Sequence, residues 1–382
     1  MVDSAVGNKY AIDLCNALGA AGVDVTLVSV EDIEEDNFHF NFLPYSPSKR
    51  PNQNKVLKFL KYFIFIFWLL KFIKKMNFDV VHFQFLRRIR MECLIFPLLS
   101  KFQKNIVFTA HNIVPHENGK LDYWLRALVY RNVSKIIVHR SSIKANLLKA
   151  FKINPSKIYI VPHINPLPKA VDQMISQECA RKKLDLINDD LVILFFGYIR
   201  PYKGVDLLLA AFDDVVTQNE KLKSNSNKNV QLLIAGKPMN QELENEFLST
   251  INEMSEPVKK NVKTFFHFIE EDKVEVFFRA ADLVALPYRH IDYSAVSDRA
   301  SLYAKPVITT NVGDFKSTIA QKGIGFVSDT NDLDSFSQTL KLALQNVSKL
   351  KVMGTKAYQL FVKENSHKKI AVMTLETYNH IT

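Results

Sequence analysis

Two stretches of the chain place cationic side chains and free backbone amides where an anion could be held. Leu191 to Leu209 reads LVILFFGYIRPYKGVDLLL. An apolar strand ends at Gly197, a tight loop supplies Arg200 and Lys203, and an amphipathic helix begins near Gly204. In open α/β sheets ligands bind at such strand ends, and a helix N-terminus offers unpaired N–H groups to phosphate. Arg200 would meet a diphosphate through its planar fork and Lys203 as a point charge. A solvated basic loop is the alternative for this stretch alone.

The second stretch, Ala281 to Gly313, reads ADLVALPYRHIDYSAVSDRASLYAKPVITTNVG. A strand ends at Pro287, a polar loop follows, and a short helix opens near Ser294, so the amides of Ser294, Ala295 and Val296 would face the same crevice as Lys203. Two such loops on neighbouring strands make a diphosphate cradle.

Short β-branched runs alternating with helical patterns position these loops, the signature of parallel sheets covered by helices. The alternation occurs twice. After the helix Lys9 to Ala20, strands are expected at Asp24–Val30, Val80–Phe83, Ile106–Ala110, Lys135–His139 and Ile158–Val161. The second series runs Leu191–Phe196, Gln231–Ala235, Val262–Phe266, Leu283–Leu286, Pro306–Thr310 and Gly325–Val327. The fold class is therefore α/β with two Rossmann-like domains, over residues 1–165 and 166–355. A helix from about Lys351 to Ile381 ends the chain, its 356–382 part placed to cross back to the first domain. Gly7 arrives after only six residues, so the first strand of the first domain is expected to be short, missing or replaced.

With 382 residues, 47% hydrophobic and 23% charged, the composition is that of a globular protein with a large core. Three cysteines, far apart and odd in number, fit a reducing compartment and give no metal-ligand cluster. His111 and His116 lie five apart on an expected loop, a poor metal site. Met1 is not followed by a basic and then an apolar region, so no signal peptide is expected and the cytoplasm is the expected compartment.

Four blocks carry a resemblance: Gly7–Val28, Thr109–His116 (TAHNIVPH), Gly197–Leu209 and Phe268–Gly313. In this order they resemble the retaining glycosyltransferases of the GT-B fold, in the group 1, family 4 class. The resemblance implies two Rossmann-like domains facing each other across a cleft and a hexosyltransferase-type reaction with retained configuration. It implies a UDP- or GDP-linked sugar as donor substrate, no metal requirement and no cofactor. Lys203 matches the family's diphosphate lysine, and His111 the histidine directed at the donor sugar. Gly7, Ile269, Ser294, Ala295 and Val296 fall among the donor-binding positions. The arginine that follows the strand-end glycine in the family is Tyr198 here, which leaves Arg200 to serve instead.

The family's Glu-x7-Glu pair is altered. Its second glutamate falls on Arg299, a charge reversal, and its first on Ile291, beside Asp292. Asp292 would take the sugar-contacting role after a one-residue shift, and Asp298 the ribose. The Gly-Lys-Pro turn of the family is Ala304, Lys305, Pro306. Besides a transferase acting on a glycan or lipid-linked glycan, two alternatives follow: a sugar-nucleotide epimerase of the same fold, and a binding subunit without turnover.

The net charge of +11 is unevenly spread: from Lys55 to Lys104 eleven bases face only Asp79 and Glu92, a surplus of nine. An anionic surface is the expected partner. Val56 to Lys75 reads VLKFLKYFIFIFWLLKFIKK, with an uninterrupted apolar run too short to span a bilayer. Phe59, Phe63, Ile66, Leu70 and Ile73 share one helical stripe, and Phe65, Phe67, Trp68 and Phe72 widen it. An interfacial helix with Phe63, Phe67 and Trp68 in the headgroup boundary is expected, peripherally attaching the protein to the inner membrane face near a polyprenyl-linked acceptor. A helix packed on the first sheet is the alternative. No RNA- or DNA-binding signature accompanies the aromatics, so nucleic acid is not an expected partner.

Overall fold

The computed structural model describes residues 1–3, 9–29, 38–44, 55–86, 88–111, 120–164, 173–220, 229–291 and 294–379. The chain divides into two units, Met1–Leu167 with Glu364–Thr382, and Pro168–Lys363.

The first unit is built on a parallel sheet of β1 (Val2–Asp3), β2 (Thr26–Ser29), β3 (Asn41–Pro44), β4 (Val81–Phe83), β5 (Ile106–Thr109), β6 (Lys135–Val138) and β7 (Ile158–Ile160), in spatial order β3-β2-β1-β4-β5-β6-β7. The opening strand is present but only two residues long; Val2 pairs with Val28 on one side and Phe83 on the other. Strand β3 was not expected from the sequence. It lies at the sheet edge, and only Phe42 and Leu43 of its four residues are apolar.

The end of the chain is two helices, Val347–Glu364 and His367–Asn379, rather than one. Ser366 separates them, its hydroxyl accepting from the Lys369 N–H at 3.3 Å. The second of these helices belongs to the first unit, where Ile370 and Ala371 join Leu14, Cys15 and Leu18 of the helix Lys9–Ala20 in one buried cluster.

The helix Lys55–Met76 corrects the face read from the sequence. Ile66 and Ile73 of the expected membrane stripe are buried with Tyr62, Phe65 and Leu69, and Phe63 is half-buried. The exposed face instead carries Leu60, Ile64, Phe67 and Trp68. A helix apolar almost all round lets tertiary packing choose the buried side.

The second unit has a parallel sheet of β8 (Leu191–Phe196), β9 (Val230–Ala235), β10 (Val262–Phe265), β11 (Leu283–Leu286), β12 (Val307–Thr309) and β13 (Gly325–Val327), in order β10-β9-β8-β11-β12-β13. The chain reverses direction of growth between β8 and β11, the topological switch point where an α/β sheet opens a crevice. All six residues of β8 are buried, as a central parallel strand covered on both faces requires.

Candidate active site

Gly197 and Gly236 end β8 and β9 with φ of +108° and +147°. They also touch: a Cβ on Gly236 would stand 2.0 Å from the Gly197 carbonyl oxygen. Only residues without a side chain fit this crossing. From it the chain runs through Arg200 into a 3-10 turn, Pro201–Lys203, closed by the Lys203 N–H donating to the Arg200 carbonyl at 2.9 Å. Gly204, at φ +68°, then starts the helix Val205–Glu220 so close to the end of β11 that a Cβ there would meet the Pro287 oxygen at 2.0 Å.

The loop after β11 is clipped to this turn. The Arg289 N–H donates to the Tyr202 carbonyl at 2.8 Å. The Arg289 guanidinium bonds the Pro201 carbonyl at 2.6 Å and pairs with Asp206 in the first turn of the helix. Ser294 then caps the helix Ala295–Leu302, its hydroxyl accepting from the Ser297 N–H at 3.2 Å. The side chain of Ser294 also bonds the buried Tyr288 phenol, whose pKa is raised chiefly by burial.

These contacts bring the two expected loops to one place. A Cβ on Gly197 would lie 3.2 Å from Lys203 Nζ and 3.5 Å from a Val296 methyl, and Lys203 Nζ stands 5.6 Å from the centre of the Tyr288 ring. Burial, with Arg200 as a smaller cause, lowers the Lys203 pKa to about 8. An ammonium partly stripped of water beside capped helix amides is suited to hold an anionic oxygen.

The remaining expected residues fall in different surroundings. Arg200 is exposed, its guanidinium 5.3 Å above the Tyr198 ring. Ile269 is buried in the core of the second unit, and Asp298 is buried in the first turn of its helix. Arg299 points to the helix Glu271–Ala280, where its Nη2 meets both Glu271 carboxylate oxygens at 2.9 and 3.1 Å. Gly7, Asp292 and His116 lie outside the described residues. Lys305 is a structural cation: its Nζ donates to the Ala281 carbonyl at 2.7 Å, and burial lowers its pKa to about 8.

His111 sits just past β5 in the first unit. Its Nε2 is 3.3 Å from Gln84 Oε1, its Nδ1 is 3.1 Å from His139 Nε2, and Phe85 stacks on its ring at 4.2 Å. Burial, then the neighbouring His139, His163 and His82, lowers its pKa well below the usual value. His139 and His163 were not singled out in the sequence. The available signal was a histidine at or just after each of β4 to β7: His82, His111, His139 and His163. Tyr288 and Gly236 were missed too, because their roles arise from contacts between loops remote in sequence.

Two family matches divide the chain between the units. Residues 7–164 match Glycosyltransferase Family 4, and residues 176–360 match Glycosyl transferases group 1. The chain belongs to the group 1, family 4 class of glycosyltransferases. Among similar proteins is the D-inositol 3-phosphate glycosyltransferase of Segniliparus rotundus, 26% identical over 260 residues, 65% of this chain and 55% of the relative. The enzyme of that name from Mycobacterium sp. (strain JLS) is 26% identical over 250 residues, 62% of this chain and 52% of the relative. This glycosyltransferase chain thus spans about half the length of the curated relatives it matches.

Solved structures extend the likeness over nearly the whole chain. Sucrose-phosphate synthase from Thermosynechococcus elongatus superposes with a TM-score of 0.76 at 16% identity, covering 99% of this chain and 98% of that one. Anabaena HepE in complex with UDP-glucose gives a TM-score of 0.73 at 13% identity, covering 99% of each chain. At such identities the shared property is the fold, which is GT-B.

Proposed function

We propose that this glycosyltransferase moves a sugar from a UDP- or GDP-linked donor, with retained anomeric configuration, to a glycan or polyprenyl-linked acceptor of surface polysaccharide synthesis. The supporting observation is that Lys203 Nζ and a Val296 methyl both border the space over Gly197, beside the helix start that Ser294 caps. Departure of the nucleoside diphosphate builds negative charge on phosphate oxygen. Lys203 and the amides of Ala295 and Val296 are preorganised to receive it, and one such donor is worth about 3 kcal/mol. Arg200 lies in the same loop, ready to meet the outer phosphate. The resemblance assigns His111 and Asp292 to the sugar and asks for no metal or cofactor. Solved HepE is a GT-B protein whose complexes contain UDP and UDP-glucose, which supports a nucleotide-sugar donor for the fold. Incubation with a panel of nucleotide sugars tests the reading: one donor releases its nucleoside diphosphate, and Lys203→Gln abolishes that release. Tight donor binding without release or transfer would overturn it.

A second reading, a donor-binding subunit without turnover, is favoured by one observation. Where the family carries its second acid, Arg299 stands in an ion pair with Glu271.

The exposed face of the helix Lys55–Met76 supports work at a membrane. Ile64 and Phe67 are 63% and 69% exposed, beside Trp68 and above the terminal Lys74 and Lys75. No helix among the described residues is long and apolar enough to cross a membrane. In this reading the helix lies in the headgroup boundary of the inner membrane face, where each nearby base contributes about 1 kcal/mol on anionic lipid.

A further inference from the structure

We propose that a layer of neighbouring helices in the first unit forms a flat docking platform for a bilayer containing anionic phospholipid, wider than the single helix Lys55–Met76. This rests on the membrane reading of that helix and extends it to residues 94–131. The helices share one side of the sheet. The connections β3 to β4, β4 to β5 and β5 to β6 advance across it in one direction, so right-handed crossovers put their helices on the same face. The connection β1 to β2 runs the other way, and its helix Lys9–Ala20 packs instead with the final helix His367–Asn379.

Specific contacts hold the layer together. The Tyr62 hydroxyl of Lys55–Met76 donates to the buried Glu92 carboxylate, which also accepts from the Arg88 N–H at 2.8 Å. Arg90 Nε stands 3.5 Å from Asp122 near the start of the helix Lys120–Asn132, and the Ser100 hydroxyl donates to Asn132 Oδ1 at its end, at 3.3 Å. Residues 90–100 therefore run alongside 122–132 in matching register. Phe96, Leu99 and Val129 are buried, which leaves the opposite stripes to solvent. Those stripes are apolar. Leu94, Leu98 and Phe102, four apart around the helix Ile95–Leu99 and its flanking turns, are exposed, as are Leu121 and Trp124 on either side of Asp122. They continue, on the same side of the sheet, the exposed face of Lys55–Met76.

The charge on this surface has one sign. Glu92 and Asp122 are the only acids on the helices Lys55–Met76, Ile89–Glu92, Ile95–Leu99 and Lys120–Asn132, and both are buried. Lys71, Lys74, Arg90, Lys101, Lys104 and Arg131 are exposed. Single apolar residues scattered over a surface are ordinary, but a run of them across adjacent helices marks a contact site. Protein interfaces are poor in lysine, whereas a membrane surface takes Lys and Arg at the headgroups with Leu, Phe and Trp below them. The chain has two tryptophans, and both, Trp68 and Trp124, are exposed on this layer. Tryptophan concentrates at the membrane–water boundary. Contact through the helix layer lays the sheet parallel to the bilayer. The strand ends near His111 then open along the membrane, so a lipid-held acceptor is met from the side.

Those two residues are the reporters. Trp68→Phe leaves Trp124 as the sole tryptophan of the full chain, and Trp124→Phe leaves Trp68. With vesicles of phosphatidylcholine and phosphatidylglycerol, the emission of each variant is expected to move to shorter wavelength and to fall at least twofold when the lipid is brominated. Phosphatidylcholine alone should change neither. Leu98→Ser/Trp124→Ser should co-float with the mixed vesicles at least tenfold less than the unaltered chain, at the same melting temperature. A response at only one of the two tryptophans, or undiminished flotation of the serine variant, overturns the platform and leaves contact through one helix. No response at either removes the membrane reading as well. An equal response to phosphatidylcholine alone overturns the anionic partner. A shift at Trp124 that arises without vesicles as protein concentration rises means that a second copy of the chain covers the face, and this too overturns the proposal.

Discussion

Lys203 Nζ occupies the space that a side chain at Gly197 would need: a Cβ there would fall 3.2 Å from the nitrogen, on a backbone with φ of +108°. The strand-end glycine and Lys203 are therefore one device. Gly197→Ala both strains the turn and pushes the ammonium aside. It is expected to weaken UDP or GDP binding about tenfold by calorimetry. Lys203→Ala, which removes one charge-assisted contact worth about 1.5–3 kcal/mol, should weaken it about 10- to 100-fold. Equal affinity in the Gly197 variant would separate the two residues.

The lowered pKa of Lys203 makes binding depend on pH in a stated direction. The free protein carries the ammonium below its pKa of about 8 and loses it above. Diphosphate affinity should hold steady up to pH 7 and fall by up to tenfold per unit beyond pH 8, whereas Lys203→Ala should give a flat profile. Stability without ligand has the opposite slope. The unfolded chain keeps this lysine protonated to about 10.4, so between 8 and that value the unfolded state binds more protons and stability rises with pH. Buried Lys305, also lowered to about 8, adds a second step of the same sign. Denaturant unfolding at pH 7.5 and 9.5 checks it.

Much of this fold could be read from strands alone. Leu191–Phe196 and Leu283–Leu286 coincide with their expected spans, because parallel strands buried on both faces are continuous apolar runs. Asn41–Pro44 escaped notice since an edge strand needs no such run. The loops of Lys203 and Ser294 were legible because strand, glycine, basic turn and helix follow one another locally. Their clamp through Arg289 and Tyr288 was not, nor was the meeting of His111 with His139, since those distances are set by the order of strands in the sheet. The helix Lys55–Met76 shows the limit most clearly: with apolar residues on nearly every side, its sequence does not choose which face packs inward.

Ala304 stands where the family has glycine, and its φ is +55°. A left-handed conformation costs a residue with a Cβ roughly 1–2 kcal/mol, while glycine loses about 0.4–1 kcal/mol more on leaving the unfolded state. Ala304→Gly is thus expected to stabilise the second unit by roughly 0.5–1 kcal/mol. Calorimetry should show its transition about 1–4 °C higher. An unchanged or lower midpoint would show that the turn bears no strain.

The Arg299–Glu271 pair is partly exposed, and pairs of this kind contribute below about 1 kcal/mol. Arg299→Glu exchanges attraction for repulsion and is expected to lower the melting temperature by a few degrees. Adding Glu271→Arg should restore it, which a thermal-shift series on the single and double variants measures. The double variant also returns an acid to position 299. Nucleoside diphosphate release that appears only in this variant would favour the subunit reading over the enzyme reading.

Membrane attachment should depend on the outer face of the helix Lys55–Met76 and not on its inner one. Phe67 is 69% exposed and Trp68 lies beside it, whereas Phe63 is half-buried against the unit. Serine at 67 and 68 removes the apolar area that would enter the headgroup boundary, and each large side chain fully buried there is worth about 1.5–3 kcal/mol. Co-flotation with phosphatidylglycerol-containing vesicles is expected to fall at least tenfold in Phe67→Ser/Trp68→Ser, with the melting temperature unchanged. Phe63→Ser should do the reverse, lowering the melting temperature while the folded fraction still floats. Because Lys71, Lys74 and Lys75 supply the electrostatic part, flotation should also weaken from low to 0.5 M salt as the screening length contracts. Equal flotation of the double variant and the unaltered chain would remove this helix from membrane binding.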